Sequence, residues 1–516
     1  MRGTPYYPPA TPHQLLPLSE TSVSLRAAVA RHLTTDAHWL RASPEDAPAR
    51  LAPRLLAWYR FAAANLRVLS LSPRHALAPA LVSDIIATVA ANRPPLRVLD
   101  LSVFALPAPP TEHFVHTLDA LFRAARLSLV ELHLNLAADF LLDLAADAHL
   151  VALTTLDLRH EGPLDPMRLL SLLHSLRELT ATTSLKPKLE TLHFRLSEPL
   201  PPGLRPEAIA AATPAVKNLR YTELSALRAD CTELGVPIVQ LATVLKGLEE
   251  LVLTNATLDF SLLQPLLERD SHRHLTRVSL NNCSIPGFLS GFPLLRSSSD
   301  SLIRSLDLAD VTLGASELAV VAERCSAVEA FGLSIERATA AALRRVCVSL
   351  PQLASMDLRV VGAKDEPVRQ GCRDGIVSAV CATRGEFSKL VVRGETLPVA
   401  GLAQIFRTLG ARFEYLVTGV HAPRVSMSRA IMGLLAVVKE HCTAFKILCF
   451  GLDLAYDPRA DDLHEAFVKT IDGLEDRLPM LDTVWLRRNA ESLLAIQKPV
   501  GFVEFREGEG DLDLTA

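Results

Sequence analysis

The chain has 516 residues, 49% of them hydrophobic and only 5% aromatic. So apolar a composition excludes a mostly unfolded chain, and the length exceeds what one ordinary core can use, so several domains or one elongated array filled by Leu, Val and Ala is expected. Lys and Arg number 53 against 57 Asp and Glu, a near balance that argues against coating nucleic acid or an anionic membrane.

Residues 1–20 are Pro-rich and predicted to be disordered. No apolar signal-like stretch follows Met1, and no later apolar run approaches the ~18 residues needed to span a bilayer, so neither export nor membrane insertion is expected. Residues 21–65 read as helical. One helix is predicted over 23–33 and a second, containing Trp58, over 49–64, with a loop through Ser43-Pro44-Glu45-Asp46 between them.

From residue 66 onward one pattern recurs: an apolar residue, two variable ones, an apolar residue, one variable, then another apolar residue. It opens with Leu66-Arg67-Val68-Leu69-Ser70-Leu71 and Leu96-Arg97-Val98-Leu99-Asp100-Leu101. Further copies begin at Leu129, Leu153, Leu189, Val216, Leu248, Leu275, Ile303, Val328, Leu353, Phe387, Phe413, Phe445 and Leu481, with those at Val216 and Phe413 degenerate. The mean spacing is about 30 residues, a length typical of one supersecondary unit. Between copies lie segments with apolar residues at three- and four-residue spacing, namely 81–89, Glu112–Ala125, 166–176, 316–324 and 400–409, which predict amphipathic helices. Each unit is therefore strand, turn, helix, return. One unit cannot bury both its strand and its helix alone, so the units must stack into a parallel sheet with helices on the outside.

Strand alternation sends the fourth and sixth motif positions into the core and the third, fifth and seventh to the opposite, concave surface. This map predicts a polar strip of Glu131, His133, Asn135, Thr155, Asp157, Arg159, Thr191, His193, Arg195, Asn218, Arg220 and Thr222, continued by Arg277 and Asn281. Toward the end the same positions become Tyr415, Val417, Ile447, Cys449, Trp485 and Arg487. The candidate partner-binding residues are thus Glu131, His133, Asp157, Arg159, His193, Arg195, Arg220, Arg277, Tyr415, Trp485 and Arg487. Trp and Arg are enriched in interface hot spots. The strip also reads as an ordinary solvated face balanced by Asp157 and Glu131, and Trp485 as a residue folded under a terminal cap.

All eight cysteines lie from Cys231 onward, seven of them in the second half, with no CxxC pair, so they read as reduced, buried thiols and the compartment as cytoplasmic or nuclear. Asn255-Ala256-Thr257 fits a glycosylation acceptor by chance. No GxxxxGK(S/T), HExxH or GxSxG motif is present, and His272-Arg273-His274 reads as a polar loop; no catalytic residue, metal or cofactor is expected. Residues 506–516 are acidic and Gly-interrupted, predicting an unfolded tail.

Residues 66–505 resemble the leucine-rich repeat superfamily, in particular its ribonuclease-inhibitor-like and F-box-protein branch. The motif followed by Asn and Cys is intact in Leu275-Thr276-Arg277-Val278-Ser279-Leu280-Asn281-Asn282-Cys283, and Cys325-Ser326-Ala327-Val328 and Cys442-Thr443-Ala444-Phe445 are Cys-containing variants. The resemblance implies an α/β horseshoe of about 15 repeats, with parallel strands on the concave face, helices on the convex face and a protein partner bound by the strands. An F-box opens with Leu-Pro and ends near a Trp, as Leu16-Pro17 and Trp58 do, and would dock an adaptor of a cullin-RING ubiquitin ligase. This makes the chain similar to a ligase substrate receptor. The segment lacks the family's Ile/Leu run after Leu-Pro, and it also reads as a helical cap on the first repeat, which a solenoid requires in any case. A horseshoe followed by an acidic segment is also similar to the Ran GTPase-activating proteins, which gives the alternative expectation of a GTPase activator.

Overall fold

The chain divides into two compact units, Met1–Leu258 and Asp259–Ala516. The computed structural model describes residues 64, 66–70, 79–102, 111–136, 139–160, 165–182, 189–197, 200, 203–224 and 235–258 of the first unit. In the second it describes 259–267, 274–283, 303–308, 318, 327–335, 337–360, 366–384, 386–421, 427–452, 483–488 and 492–497. The predicted start at 1–20, all but residue 64 of the helical segment at 21–65, and the tail at 506–516 lie outside the described residues.

In the first unit the strands are β1 (Val68–Ser70), β2 (Val98–Leu101), β3 (Glu131–Asn135), β4 (Thr155–His160), β5 (Thr191–Leu196), β6 (Asn218–Glu223) and β7 (Glu250–Thr254). Each pairs in parallel with the next. Helices α1 (Pro79–Asn92), α2 (Glu112–Ala125), α3 (Asp139–Asp147), α4 (Pro166–Thr182), α5 (Pro206–Ala212) and α6 (Val236–Val244) alternate with them. The second unit holds α7 (Phe260–Leu267) and then β8 (Arg277–Asn281), β9 (Ser305–Leu308), β10 (Ala330–Ile335), β11 (Ser355–Val360), β12 (Lys389–Pro398), β13 (Tyr415–His421), β14 (Ile447–Leu452) and β15 (Thr483–Arg488), again parallel in chain order. Its further described helices are α8 (Arg337–Ser349), α9 (Glu366–Cys381), α10 (Val399–Leu409) and α11 (Met427–His441). A last strand, β16 (Ser492–Gln497), turns back antiparallel on β15.

All the motif copies form strands, and every one of β1 to β15 begins two residues after the motif's first apolar position. The registers align motif on motif, Val98 with Glu131, Glu131 with Thr155, Thr155 with Thr191, although the intervening segments differ in length. The reason is energetic. A one-residue slip of β3 would turn Leu132 and Leu134, both 0% exposed, to water and Glu131 and His133 into the core, losing about 1.5–3 kcal/mol per leucine before any charge is buried. The variable segments absorb the length differences.

The copies at Val216 and Phe413, degenerate in their motif, nonetheless form full strands. Tyr221 fills the sixth position of β6 and is wholly buried. In β13 that position holds Thr418, whose hydroxyl donates to the Gly419 carbonyl at 3.2 Å, so its polar group is satisfied inside the layer.

Helix α2 has the predicted bounds. Thr111 caps it by accepting from the Phe114 amide at 3.3 Å, and Phe114, Leu118, Leu121 and Phe122 form its buried face. Helix α4 runs to Thr182, beyond the predicted end at 176, and α10 starts one residue before the predicted 400. Of the predicted helix at 316–324 only Leu318 is described, and it is helical and buried.

Where the second unit replaces Leu by Phe at the first motif position, the rings stack across repeats. Phe387 and Phe413 lie 6.3 Å apart and near-parallel, while Phe413 and Phe445 meet edge-to-face at 5.3 Å; Phe406 of α10 touches both Phe413 and Phe445. Cys283, Cys347, Cys372 and Cys442 are buried free thiols, and burial pushes those of Cys347 and Cys442 up to about 12. They act as small core residues; Cys231 and Cys325 lie outside the described residues.

Strand β12 breaks the regularity. Its register on β13 holds from Lys389 to Val391 and resumes only at Thr396, opposite Gly419. The extra residues form a bulge around Gly394, whose φ is +75° and whose position a Cβ would share with the Val360 carbonyl oxygen at 2.6 Å. Gly394→Ala is therefore expected to cost on the order of 1–3 kcal/mol, read as a lower urea midpoint; an unchanged midpoint would show that the bulge relaxes freely.

Candidate functional site

Opposite the helix-packed face, each strand of the first unit presents its third, fifth and seventh motif residues in rows that run across the repeats. The central row is Asp100, His133, Asp157, His193 and Arg220 on β2 to β6. One flanking row is Glu131, Thr155, Thr191, Asn218 and Glu250, and the other is Asn135, Arg159, Arg195 and Thr222. The structure thus brings together seven of the candidates, Glu131, His133, Asp157, Arg159, His193, Arg195 and Arg220, on four adjacent strands.

Their centre is Asp157. Although the motif map turns it outward, its side chain is only 3% exposed, because three neighbours from two other repeats close over it. His133 Nδ1 lies 3.0 Å and His193 Nδ1 3.2 Å from its Oδ2, and Arg195 donates to the same oxygen. The outer nitrogens are also engaged: His133 Nε2 with Glu131 Oε1 at 2.8 Å, and His193 Nε2 with the Thr222 hydroxyl at 3.0 Å.

This arrangement fixes charge. Burial, the largest influence on Asp157, pushes its carboxyl up; the hydrogen bonds from His133 and His193 and the charges of His193 and Arg195 together override it and hold it well below the usual carboxylate range. Burial likewise opposes protonation of His133, but its bonds to Asp157 and Glu131 prevail and raise it to about 9. At neutral pH the cluster is therefore an internally compensated set of charges rather than a free cationic patch. Arg220 stands at its edge, half exposed, with Glu250 at 3.5 Å.

The other candidates lie in the second unit and are spread along it. Arg277 is exposed on β8. Tyr415 on β13 is half-buried, with the Lys389 ammonium 4.7 Å from the centre of its ring. Trp485 and Arg487 occupy alternate positions of β15, in register with Cys449 and Gly451 of β14. The strand face also carries charged residues that the sequence strip omitted: Asp100, Glu250, Lys389, and the pair Arg393 and Asp357 at 3.1 Å. Asp100, Glu250, Lys389 and Asp357 hold third or fifth motif positions in their own repeats, so applying the same positional rule to every copy finds them. Among the described residues no group of three or more His, Cys, Asp or Glu is placed to hold a metal ion, and no described helix is long and apolar enough to cross a membrane.

Within each unit, parallel strands in chain order, in register on one apolar motif and alternating with helices, decide the architecture. The fold is an α/β leucine-rich repeat solenoid. No family model matches the chain and no curated protein matches it. Solved structures do. The leucine-rich repeat-containing protein LegL7 from Legionella pneumophila is similar at 14% identity over 58% of this chain and 92% of its own, with a TM-score of 0.32. The yeast Rad7 and Elc1 complex matches at 11% identity over 78% and 89%, TM-score 0.35. An internalin, InlF, from Listeria monocytogenes matches at 12% identity over 62% and 89%, TM-score 0.29.

Proposed function

We propose that the protein is a non-enzymatic interaction module that binds a protein partner across the strand face of its repeats. The observation that carries this reading is the ordered polar surface around Asp157. Side chains contributed by β3, β4, β5 and β6 are held in place before any partner arrives, so binding pays little further ordering entropy for them. A fixed pattern of donors and acceptors favours a polar partner surface of complementary charge.

The finer use, as an F-box-like substrate receptor of a cullin-RING ubiquitin ligase, rests on the sequence of residues 15–64 alone. In that use the strand face selects the substrate and the amino-terminal segment recruits the adaptor.

The test is affinity capture with the full chain, followed by binding curves for each captured protein. Arg220→Glu in the first unit, and Arg277→Glu and Trp485→Ala in the second, report on the strand face of each. Arg195→Glu is less informative, because it also sets a carboxylate against Asp157. Loss of at least tenfold in affinity in one of the three variants, with folding intact, is the expected outcome. An unchanged partner set in all three overturns the reading. Deleting residues 1–65 is expected to release cullin-ligase adaptors while retaining strand-face partners; adaptor absent from both captures removes the ligase use.

A further inference from the structure

On the opposite side of the first unit, helices α1 and α2 enclose a groove of about 700 Å³. Small residues from both helices line it, Ala90, Ala91 and Ala124 among them, so a second backbone can approach closely. Its lining is basic: Arg93, His113, His116, Arg123 and Arg126 all belong to it, and no Asp or Glu does. Asp84, Glu112 and Asp119 of the same helices stand outside the lining, with Asp119 paired to Arg123 at 2.8 Å. At the end of α2 Leu127 is 68% exposed, one of three large hydrophobic residues left open among the described residues. His113, His116, Ala120, Arg123 and Leu127 recur at three- and four-residue spacing and so form one face of the helix.

Arg93 adds an independent observation. It follows α1 directly and adopts φ 45°, a left-handed conformation at a helix end that glycine or asparagine takes at far lower cost. A basic residue is welcome near a helix C-terminus, but that preference is satisfied equally well one turn earlier without strain. Of the four described non-glycine residues with positive φ, two are the tolerant Asn255 and Asn282 and the others are Arg93 and His149.

We propose that the groove between α1 and α2 docks an acidic amphipathic segment of a partner protein, its apolar side on the lining alanines and Leu127 and its carboxylates on the lining arginines and histidines. This surface is separate from the strand face and does not depend on the function proposed for it.

The probe is a fluorescent 18-residue peptide of Glu and Leu with leucines at helical spacing, titrated against the full chain by anisotropy. Three results are expected: binding at least tenfold tighter than that of the same peptide with Gln for Glu, a loss of at least tenfold with Arg93→Glu combined with Arg126→Glu, and a weakening with added salt. Arg93→Gly separates recognition from structure. It is expected to raise the thermal midpoint by about 2–4 °C while weakening the peptide at least threefold. A raised midpoint with unchanged affinity overturns the proposal, as does equal binding of a composition-matched peptide with the helical spacing scrambled. Deleting residues 506–516, whose own sequence is acidic, is expected to leave affinity unchanged. Tighter binding after that deletion assigns the groove to this chain's own carboxy-terminal segment and overturns the assignment to a partner.

Discussion

Glu395→Ala is expected to lower the stability of the second unit by about 3–5 kcal/mol, the largest effect of any single substitution considered. Glu395 and Arg373 are both almost fully enclosed, with side chains 4% and 2% exposed. Arg373 projects from α9 and donates to Glu395 Oε1 through Nη2 at 2.9 Å and Nε at 3.3 Å, and the Thr396 amide donates to the same oxygen at 2.9 Å. Removing the carboxylate leaves a guanidinium that cannot reach water and an amide without its acceptor, and both penalties fall on the same variant. Taking both charges away is a different experiment. Arg373→Leu combined with Glu395→Leu is expected to recover most of the loss, because the desolvation cost of the pair disappears with its attraction. Hydrogen exchange over α9 and β12 reads both variants locally. A loss below about 1 kcal/mol in Glu395→Ala would mean that Arg373 escapes to solvent and that the pair contributes little.

Asp157→Asn is expected to cost about 3 kcal/mol in the first unit, toward the lower end for a broken buried pair because the Arg195 side chain retains 32% exposure and can turn outward. The shape of the residue is kept, so the effect isolates charge. The same cluster gives the wild-type protein a pH signature. The folded state raises the His133 pKa from 6.5 to about 9, so its contribution is complete below about pH 6.5 and is lost as pH rises through 9, on the order of 3 kcal/mol in all. Asp157 works in the opposite sense. Its pKa is lowered on folding, so its contribution is complete above the ordinary carboxylate range and is lost only as pH falls through the lower folded value. Protection of β3 to β5 against hydrogen exchange, corrected for the intrinsic rate, is therefore expected to decline between pH 6.5 and 9.5 in the wild type. In Asp157→Asn the decline is expected to be shallower. A flat wild-type profile, or an imidazole resonance of His133 that titrates near 6.5, would contradict the cluster as described.

The two clusters also show what a sequence can and cannot display. Register was legible at every copy because the apolar triplet is written into each repeat and burial punishes any slip; even Val216 and Phe413, weak by composition, obeyed it. The outward rows were legible for the same reason. The burial of Asp157 was not, since it depends on His133 and His193, each a repeat away, and on Arg195, 38 residues away. Arg373 was invisible for a stronger reason. An arginine in a helix reads as a solvent-facing residue, and its partner reaches it only because the bulge in β12 breaks strand alternation around Gly394 and redirects Glu395. Positional rules fail where the backbone stops being periodic.

The antiparallel return of β16 along β15 has a consequence for how the molecule can be lengthened. A parallel stack of identical units has no intrinsic stopping point, and the outer edge of its last strand offers the next unit, or another molecule, the same ladder of amides and carbonyls that joined the earlier ones. With β16 in place that template is used up by a strand of opposite polarity, whose other edge presents donors and acceptors in antiparallel order. A new repeat spliced after β15 would compete with β16 for its seat, whereas one duplicated between β10 and β11 would meet a matching neighbour on each side.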